Sequence, residues 1–409
     1  MKLAHYRDLA SLQKRLLTSP LRFLLIPFSW LYAAGVSVRN LLYAIGVFKA
    51  RSLPCRVISV GNIVVGGTGK TPAVITIAKY LQKEGKRVAI LLRGYKRHVR
   101  EEITIVSDGK KVCASPTESG DEAHMMVRHL SGIPIIAGKS RYLTGQVALE
   151  RFNVDVLLLD DGFQHRQLAR DVDILTVPVT QPFGNPQGLL PVGTLREPTS
   201  AVQRADLILL THTDIPNVSL DAKEVVKQLA PNALILESVH QPTHLYPLAS
   251  ENSERNINVH TDIKELKGKR LLAVCGIGNP DAFVATLMRC YPENVELLAF
   301  PDHHVYTEAD RRQIHAAFQA SGADMIVTTQ KDEQKLARIA KRQSAVGNRQ
   351  QREDRDGYLH ETSWFPRAFF VLAISLVITE NGEQLTRMAV GSQPSAKEVC
   401  TNACVLTDG

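Results

Sequence analysis

The sequence predicts an α/β protein built on a mainly parallel sheet covered by helices, with a second, smaller α/β lobe and an N-terminal helical arm. Three observations predict it. Apolar runs of strand length alternate with helical patterns along most of the 409 residues. A strand, a glycine-rich loop and a helix start follow one another in CRVISVGNIVVGGTGKTP, residues 55 to 72. An apolar run ends in two carboxylates in VDVLLLDDGFQH, residues 154 to 165.

The loop justifies the first helix. Gly66, Gly67, Thr68 and Gly69 would let backbone N–H groups converge on phosphate oxygens, Lys70 would reach the β and γ phosphates, and the Thr71 hydroxyl would hold Mg²⁺. Val64 stands where the usual pattern has its first glycine, so the loop is a variant, and the expected class is P-loop NTPase-like. The run from Val154 to Leu159 reads as a buried parallel strand, which puts Asp160 and Asp161 at its C-terminal end. That is where open α/β sheets place ligands, and paired acids there face a cation.

Further strands are expected at 56–60, 87–92, 133–137, 172–177, 206–211, 233–238, 270–275, 295–299, 324–328 and 369–377. Helices are expected at 71–84, 121–131, 140–151, 280–290, 307–320 and 331–343. A small hairpin is expected near 103–114, turning on Asp108-Gly109. Four segments follow: an arm over 1–54, a core over 55–240, a second lobe over 241–390 with a mobile insertion at 347–363, and a disordered tail over 391–409.

Charge is informative once it is located. Residues 1 to 56 hold nine Lys or Arg and one acid, which accounts for the whole net charge of +8. The remainder is neutral, which argues against a broad nucleic-acid footprint. The same arm carries the uncharged run Phe23 to Val38, broken by Pro27 and closed by Arg39, short of the roughly 20 residues that span a bilayer. Trp30, Tyr32 and Tyr43 with flanking cations fit an interfacial anchor on anionic lipid; a buried helical hairpin is the alternative. The six cysteines show no metal spacing and fit reduced thiols in cytosol.

Phosphoryl transfer also needs a positioned acceptor and cations. Asp121 and Glu122 open a helix in ESGDEAHMM, Asp302, His303 and His304 stand in FPDHHVYT, and Arg141 and Arg93 offer phosphate contacts.

GGTGKTP, RGY, SGDE, DDGFQH, FGN with LLPVGTLREP, GIGNP, FPDHHVYT and TQKDEQKL occur in the order of the tetraacyldisaccharide 4'-kinase family, and the chain resembles that family from about Leu21 to Ile378. The resemblance implies an ATP- and Mg²⁺-dependent kinase that phosphorylates the 4'-hydroxyl of a tetraacylated glucosamine disaccharide 1-phosphate in lipid A biosynthesis. It implies work at the cytoplasmic face of the bacterial inner membrane, with no nucleic acid and no obligate protein partner. Carried over by motif, Lys70 and Thr71 bind phosphate and metal, and Asp160 and Asp161 are the Walker-B-like acids. Asp121 is the base with His303 its partner; Glu122 on the metal side, Arg141 in catalysis, and Gln164 and His165 beside the nucleotide complete the site, with Glu197 a further candidate. The chain departs from the family at Leu92, Lys96, Ala123 and Gln330, which bears on loop geometry and on the acceptor side. The alternative reading is a membrane-associated deviant P-loop ATPase acting as a positioning switch; Val65 stands where that group carries its signature Lys.

Overall fold

The computed structural model describes residues 20–94, 102–214, 219–248, 260–302, 304–339, 369–379 and 382–390. The expected insertion at 347–363, the tail, Lys96 and His303 lie outside the described residues, as does the side chain of Asp121. The chain divides into two units, one formed by residues 1–239 and 378–409 and the other by 240–377.

The first unit contains the predicted α/β core. Helix α1 (Ile26–Ala44) is followed by β1 (Arg56–Gly61), α2 (Lys70–Lys83), β2 (Val88–Leu92), β3 (Ile103–Asp108), the single turn α3 (Pro116–Ser119) and α4 (Asp121–His129). Then come β4 (Pro134–Gly138), α5 (Arg141–Arg151), β5 (Val156–Asp160), β6 (Val172–Pro178), β7 (Leu207–Thr211), α6 (Ser219–Leu229) and the start of β8 (Leu234–Pro247). Across the sheet the strands run β8-β7-β6-β1-β5-β2-β4-β3. All pairs are parallel except β3 with β4. Strands β2, β4, β5 and β7 are buried at every residue, as apolar runs covered by helices on both faces should be.

The order places β1 in the middle, with β5 on one side and β6 on the other. The register sets Val60 opposite Asp160, so the loop after β1 and the carboxylates after β5 leave the sheet at the same edge. Helix α2 buries Ala73, Val74, Ile77, Ala78 and Leu81, one helical stripe, against this sheet. Gly61 has no room for a side chain, because a Cβ there would sit 2.6 Å from the Cβ of Phe163. Close approach of the two loops requires it.

Two expectations take a different form. Asp108-Gly109 does turn the chain, but the return strand is only a Ser107–Val112 bridge, and β3 spends its hydrogen bonds on β4 instead. The last helix, Gly382–Val390, belongs to the first unit rather than the second; Arg56 donates to the Met388 carbonyl at 2.6 Å.

The second unit carries β9 (Arg270–Cys275), α7 (Pro280–Met288), β10 (Asn294–Ala299), α8 (Glu308–Ser321), β11 (Met325–Thr329) and β12 (Phe369–Ile378, assigned to this unit through Val377). Its strands run β10-β9-β11-β12, all parallel. Leu272, Val274, Ile326, Phe369 and Val371 form one side of its core, and Leu271, Ala273, Val327 and Leu372 the other. GIGNP is the β9-to-α7 turn, where Asn279 caps α7 by accepting from the Ala282 N–H at 3.2 Å.

Candidate active site

The loop between β1 and α2 is fixed from below by buried hydroxyls and an amide. Asn62 donates to the Val64 carbonyl at 2.7 Å and to the Thr68 hydroxyl at 2.8 Å. The Thr68 hydroxyl also meets Thr176 at 3.0 Å, and Thr211 donates to the Thr68 carbonyl at 3.3 Å. The Thr68 side chain is thus spent on the strands beneath it, leaving backbone as what that residue presents. Gly69 takes a left-handed conformation with φ 81° at the helix N-cap, where a glycine costs least. No side chain caps α2, so its first N–H groups remain available to an anion.

Lys70 folds back over this loop. Its Nζ lies 3.5 Å from the Gly66 carbonyl and 3.9 Å from Asp161 Oδ1. Burial lowers the lysine pKa, while Asp161 and Asp160 counter that shift. Asp161, held at φ 53°, is the better paired of the two acids. Arg196 grips it with Nη2 to Oδ1 at 2.8 Å and Nη1 to Oδ2 at 3.0 Å. The Arg196 hydrogen bond and the charges of Lys70 and Arg196 outweigh burial and hold the Asp161 carboxyl down to about 2.

Asp160 is the opposite case. Its side chain is buried, and Oδ1 has no hydrogen-bond partner among the described residues. Burial first, then Glu122 and Asp161, push its pKa up to about 7 against the pull of Lys70 and Arg141. A buried carboxylate beside two others is costly unless a cation completes it. This orphaned oxygen, with Thr71 at the start of α2 and Glu122 close by, fits a divalent ion shared with a nucleotide's phosphates. Mg²⁺ keeps waters and phosphate oxygens in its shell and needs few protein ligands, which is compatible with the described residues offering no cluster of three metal-binding side chains.

The remaining candidates surround this centre. Arg141, the first residue of α5, is buried and donates to the Gly138 carbonyl at 2.9 Å and the Asp160 carbonyl at 3.2 Å. Burial brings its pKa down to about 10 despite both aspartates. It ties the end of β4 to the end of β5. Gln164 donates to the Asn62 carbonyl at 2.8 Å and accepts from Arg196 at 3.1 Å. His165 is held neutral, its pKa lowered to about 4 by burial and by Arg141, Arg170 and Arg93. Asp121 is the first residue of α4, directly before Glu122, and Gly120 precedes it at φ 87°.

Sequence reasoning missed Arg196. It stands in LREP beside Glu197, and it is Arg196 that converges on Asp161, Gln164 and Asn62 Oδ1. Glu197 turns the other way, fully buried, accepting from Arg204 at 3.0 and 3.1 Å and from Asn40 at 2.9 Å. Arg204, its other face over the Phe163 ring at 4.5 Å, and Arg39 at 3.6 Å keep the Glu197 carboxyl ionised. In the second unit, Lys331 pairs with Asp302 at 2.9 Å and His304 Nε2 lies 3.1 Å from Asp310. Gln330 accepts from the Ile374 N–H at 3.2 Å, so it serves the sheet edge of that unit.

The chain matches the family model "Tetraacyldisaccharide-1-P 4'-kinase" (LpxK) over residues 21–351. A tetraacyldisaccharide 4'-kinase of Syntrophus aciditrophicus is 43% identical over 331 residues, 79% of this chain and 86% of its own length. One of Halothermothrix orenii is 39% identical over 321 residues, 77% of this chain and 83% of its own. Among solved structures, LpxK from Aquifex aeolicus in complex with ATP superposes with a TM-score of 0.65 at 29% identity, covering 91% of this chain and 99% of that one. A glycine-rich loop, two strand-end acids and a lysine between them, in a chain so matched, settle its membership: the protein belongs to the tetraacyldisaccharide 4'-kinase family.

Proposed function

We propose that the centre at the ends of β1 and β5 transfers the γ-phosphoryl group of ATP to the 4'-hydroxyl of a tetraacylated disaccharide 1-phosphate, with Asp121 as the base. The observation that carries this reading is Lys70 Nζ standing 3.9 Å from Asp161 beside Asp160, whose Oδ1 has no hydrogen-bond partner among the described residues. Lys70 and the open N–H groups of α2 would bind the β and γ phosphates, and Thr71 and Asp160 would hold Mg²⁺, with Glu122 and the Arg196-bound Asp161 adding negative charge on the metal side. When bound, that ion offsets charge on the transferred group. Asp121 opens α4 next to Glu122, whose charge reaches Asp160, and this supports a base on the acceptor side of the centre. The sugar hydroxyl gives its proton to Asp121 as its oxygen bonds to the γ-phosphorus, the β–γ bridging bond breaks, and ADP departs.

Helix α1 supports a site that works at a lipid surface. One face is pinned to the core: Ser29 donates to the Leu189 carbonyl at 2.9 Å, Tyr32 to the Arg196 carbonyl at 2.8 Å, and Asn40 to Glu197. The other bares Phe28, Trp30 (71% exposed), Leu31 (73%), Val38 and Leu41. No described helix is long and apolar enough to cross a membrane. We therefore infer a helix that lies in the cytoplasmic leaflet and brings a membrane-held acceptor to a water-soluble donor.

Supplying the purified protein with ATP and the acylated disaccharide 1-phosphate tests the reading. The expected product carries a second phosphate, at the 4' position by ³¹P NMR, with one ADP formed per product. Phosphate at another hydroxyl would sink the acceptor assignment. Asp121→Asn should cut turnover by about 10²-fold or more while leaving ATP affinity within a few-fold; near-normal turnover would remove Asp121 as the base.

A further inference from the structure

Beside the docked face of α1, three guanidiniums share two carboxylates and a fourth has none. Arg204 takes both oxygens of Glu197, and Arg39 reaches the same group at 3.6 Å. Arg170 takes both oxygens of Asp173, with its third nitrogen on the His165 and Leu168 carbonyls. Arg166 forms no ion pair among the described residues. Its Nη1 donates to the Asn40 carbonyl at 3.2 Å, and its guanidinium lies over the Tyr43 ring at 4.8 Å. Burial and the charges of Arg204 and Arg170 weigh against its protonated form, with Glu197 alone opposing them.

Like charges gathered in this way at a partly exposed position call for an anion that the described residues do not supply. Arg39 keeps about a third of its side chain in solvent, and Arg166 is partly exposed as well. Val38 at 54% and Leu41 at 57% exposure flank Arg39 on α1. A polar anion seat bordered by bare aliphatic side chains matches a phosphate carried on a lipid. Arginine suits it, since its planar fork pairs with two phosphate oxygens at once.

We propose that Arg39 and Arg166 form a seat for a lipid-borne phosphate monoester, separate from the transfer centre around Lys70. Two sources share this chemistry: the acceptor's own 1-phosphate and the headgroup of a bilayer lipid. The proposal rests on the lipid-surface reading above, and its test separates the two.

The full-length protein is assayed with the lipid acceptor dispersed in detergent micelles, and its sedimentation is measured with phosphatidylcholine vesicles with and without phosphatidic acid. If the 1-phosphate is the ligand, Arg166→Gln raises the KM for the lipid acceptor about tenfold, the loss of one charge-assisted hydrogen bond, with a much smaller change in the KM for ATP. If a bilayer lipid is the ligand, the micellar KM stays and Arg166→Gln removes most of the extra sedimentation that phosphatidic acid confers. Arg39→Gln acts in the same direction more weakly, and Arg166→Lys recovers only part of either effect. Arg166 would merely cap the last turn of α1 if Arg166→Gln lowered the melting temperature with both readouts unmoved, and that would overturn the seat. An equal loss of sedimentation on vesicles containing phosphatidylglycerol, a diester, would overturn it as well, since surface charge alone explains that. Failure of the kinase reading shows separately, as wild type forming no product while the vesicle arm still responds.

Discussion

Arg196 and Glu197 are neighbours in sequence and work in different places. They stand in the bend that follows the isolated bridges of Leu195, and their side chains leave it in different directions, Arg196 toward Asp161 and Glu197 toward the arm. Arg196 meets Asp161 with two hydrogen bonds and touches Gln164 and Asn62. Glu197 is buried against Arg204 and receives Asn40 of α1. The Arg196 carbonyl also accepts from Tyr32, so this one bend ties the site and the arm to the same backbone. The difference shows that the two acids are ionised for unlike reasons. Asp161 is held charged by the cations that would flank a nucleotide, Glu197 by cations that hold a helix in place.

That contrast can be broken from either side. The largest effect is expected at Lys70, where Lys70→Ala should cost about 10²–10³ in kcat and weaken ATP binding, as loss of a charge that stabilises the transferred group does; stopped-flow nucleotide binding beside turnover checks both. Arg196→Ala comes next, at about 10- to 100-fold in kcat/KM, the usual cost of removing a group that orients a metal-side carboxylate.

Arg196→Ala also has a pH signature. Asp161 has a folded pKa depressed to about 2, so its pairing adds stability that is present above the unfolded value near 4 and is lost as pH falls through about 2. Wild type should therefore exceed Arg196→Ala in stability at neutral pH, and the gap should close in acid. A gap that persists unchanged below pH 2 would contradict the pairing. The smallest kinetic effect belongs to Glu197→Gln, a few-fold at most, with about 1–3 kcal/mol lost from unfolding free energy and weaker vesicle binding as α1 loosens. A large fall in kcat with unchanged stability would instead move Glu197 into the site.

How much of this was legible follows the same physics. Strands β2, β5 and β7 were readable because they are buried on both faces and so read as near-continuous apolar runs. The positions of the glycine-rich loop before α2 and of Asp160-Asp161 at the end of β5 were readable because each follows an apolar run of strand length. The region past 240 reads as polar and aperiodic, yet β8 runs on to Pro247, because its buried side chains there include His240 and Pro242 beside Leu245. Hydropathy cannot reveal a strand whose inward face is partly polar. Helix α6 buries little more than Ala222 and Val226, too thin a stripe to stand out. Arg196 was hidden for another reason. A lone arginine carries no motif, and only the fold brings it to Asp161 across 35 positions of sequence.

The most direct test concerns Asp160. Its folded pKa is raised to about 7, so without Mg²⁺ the protein binds an extra proton when native, and stability declines as pH rises from about 4 through about 7. Measuring unfolding free energy across that range and kcat for Asp160→Asn, in one preparation, asks whether this carboxylate is kept for chemistry at the expense of the fold. The account predicts that Asp160→Asn flattens the pH slope, is more stable than wild type at pH 8, and loses about 10²-fold or more in kcat. Wild-type turnover with a stability no better than the parent would contradict the placement of phosphoryl transfer at this site.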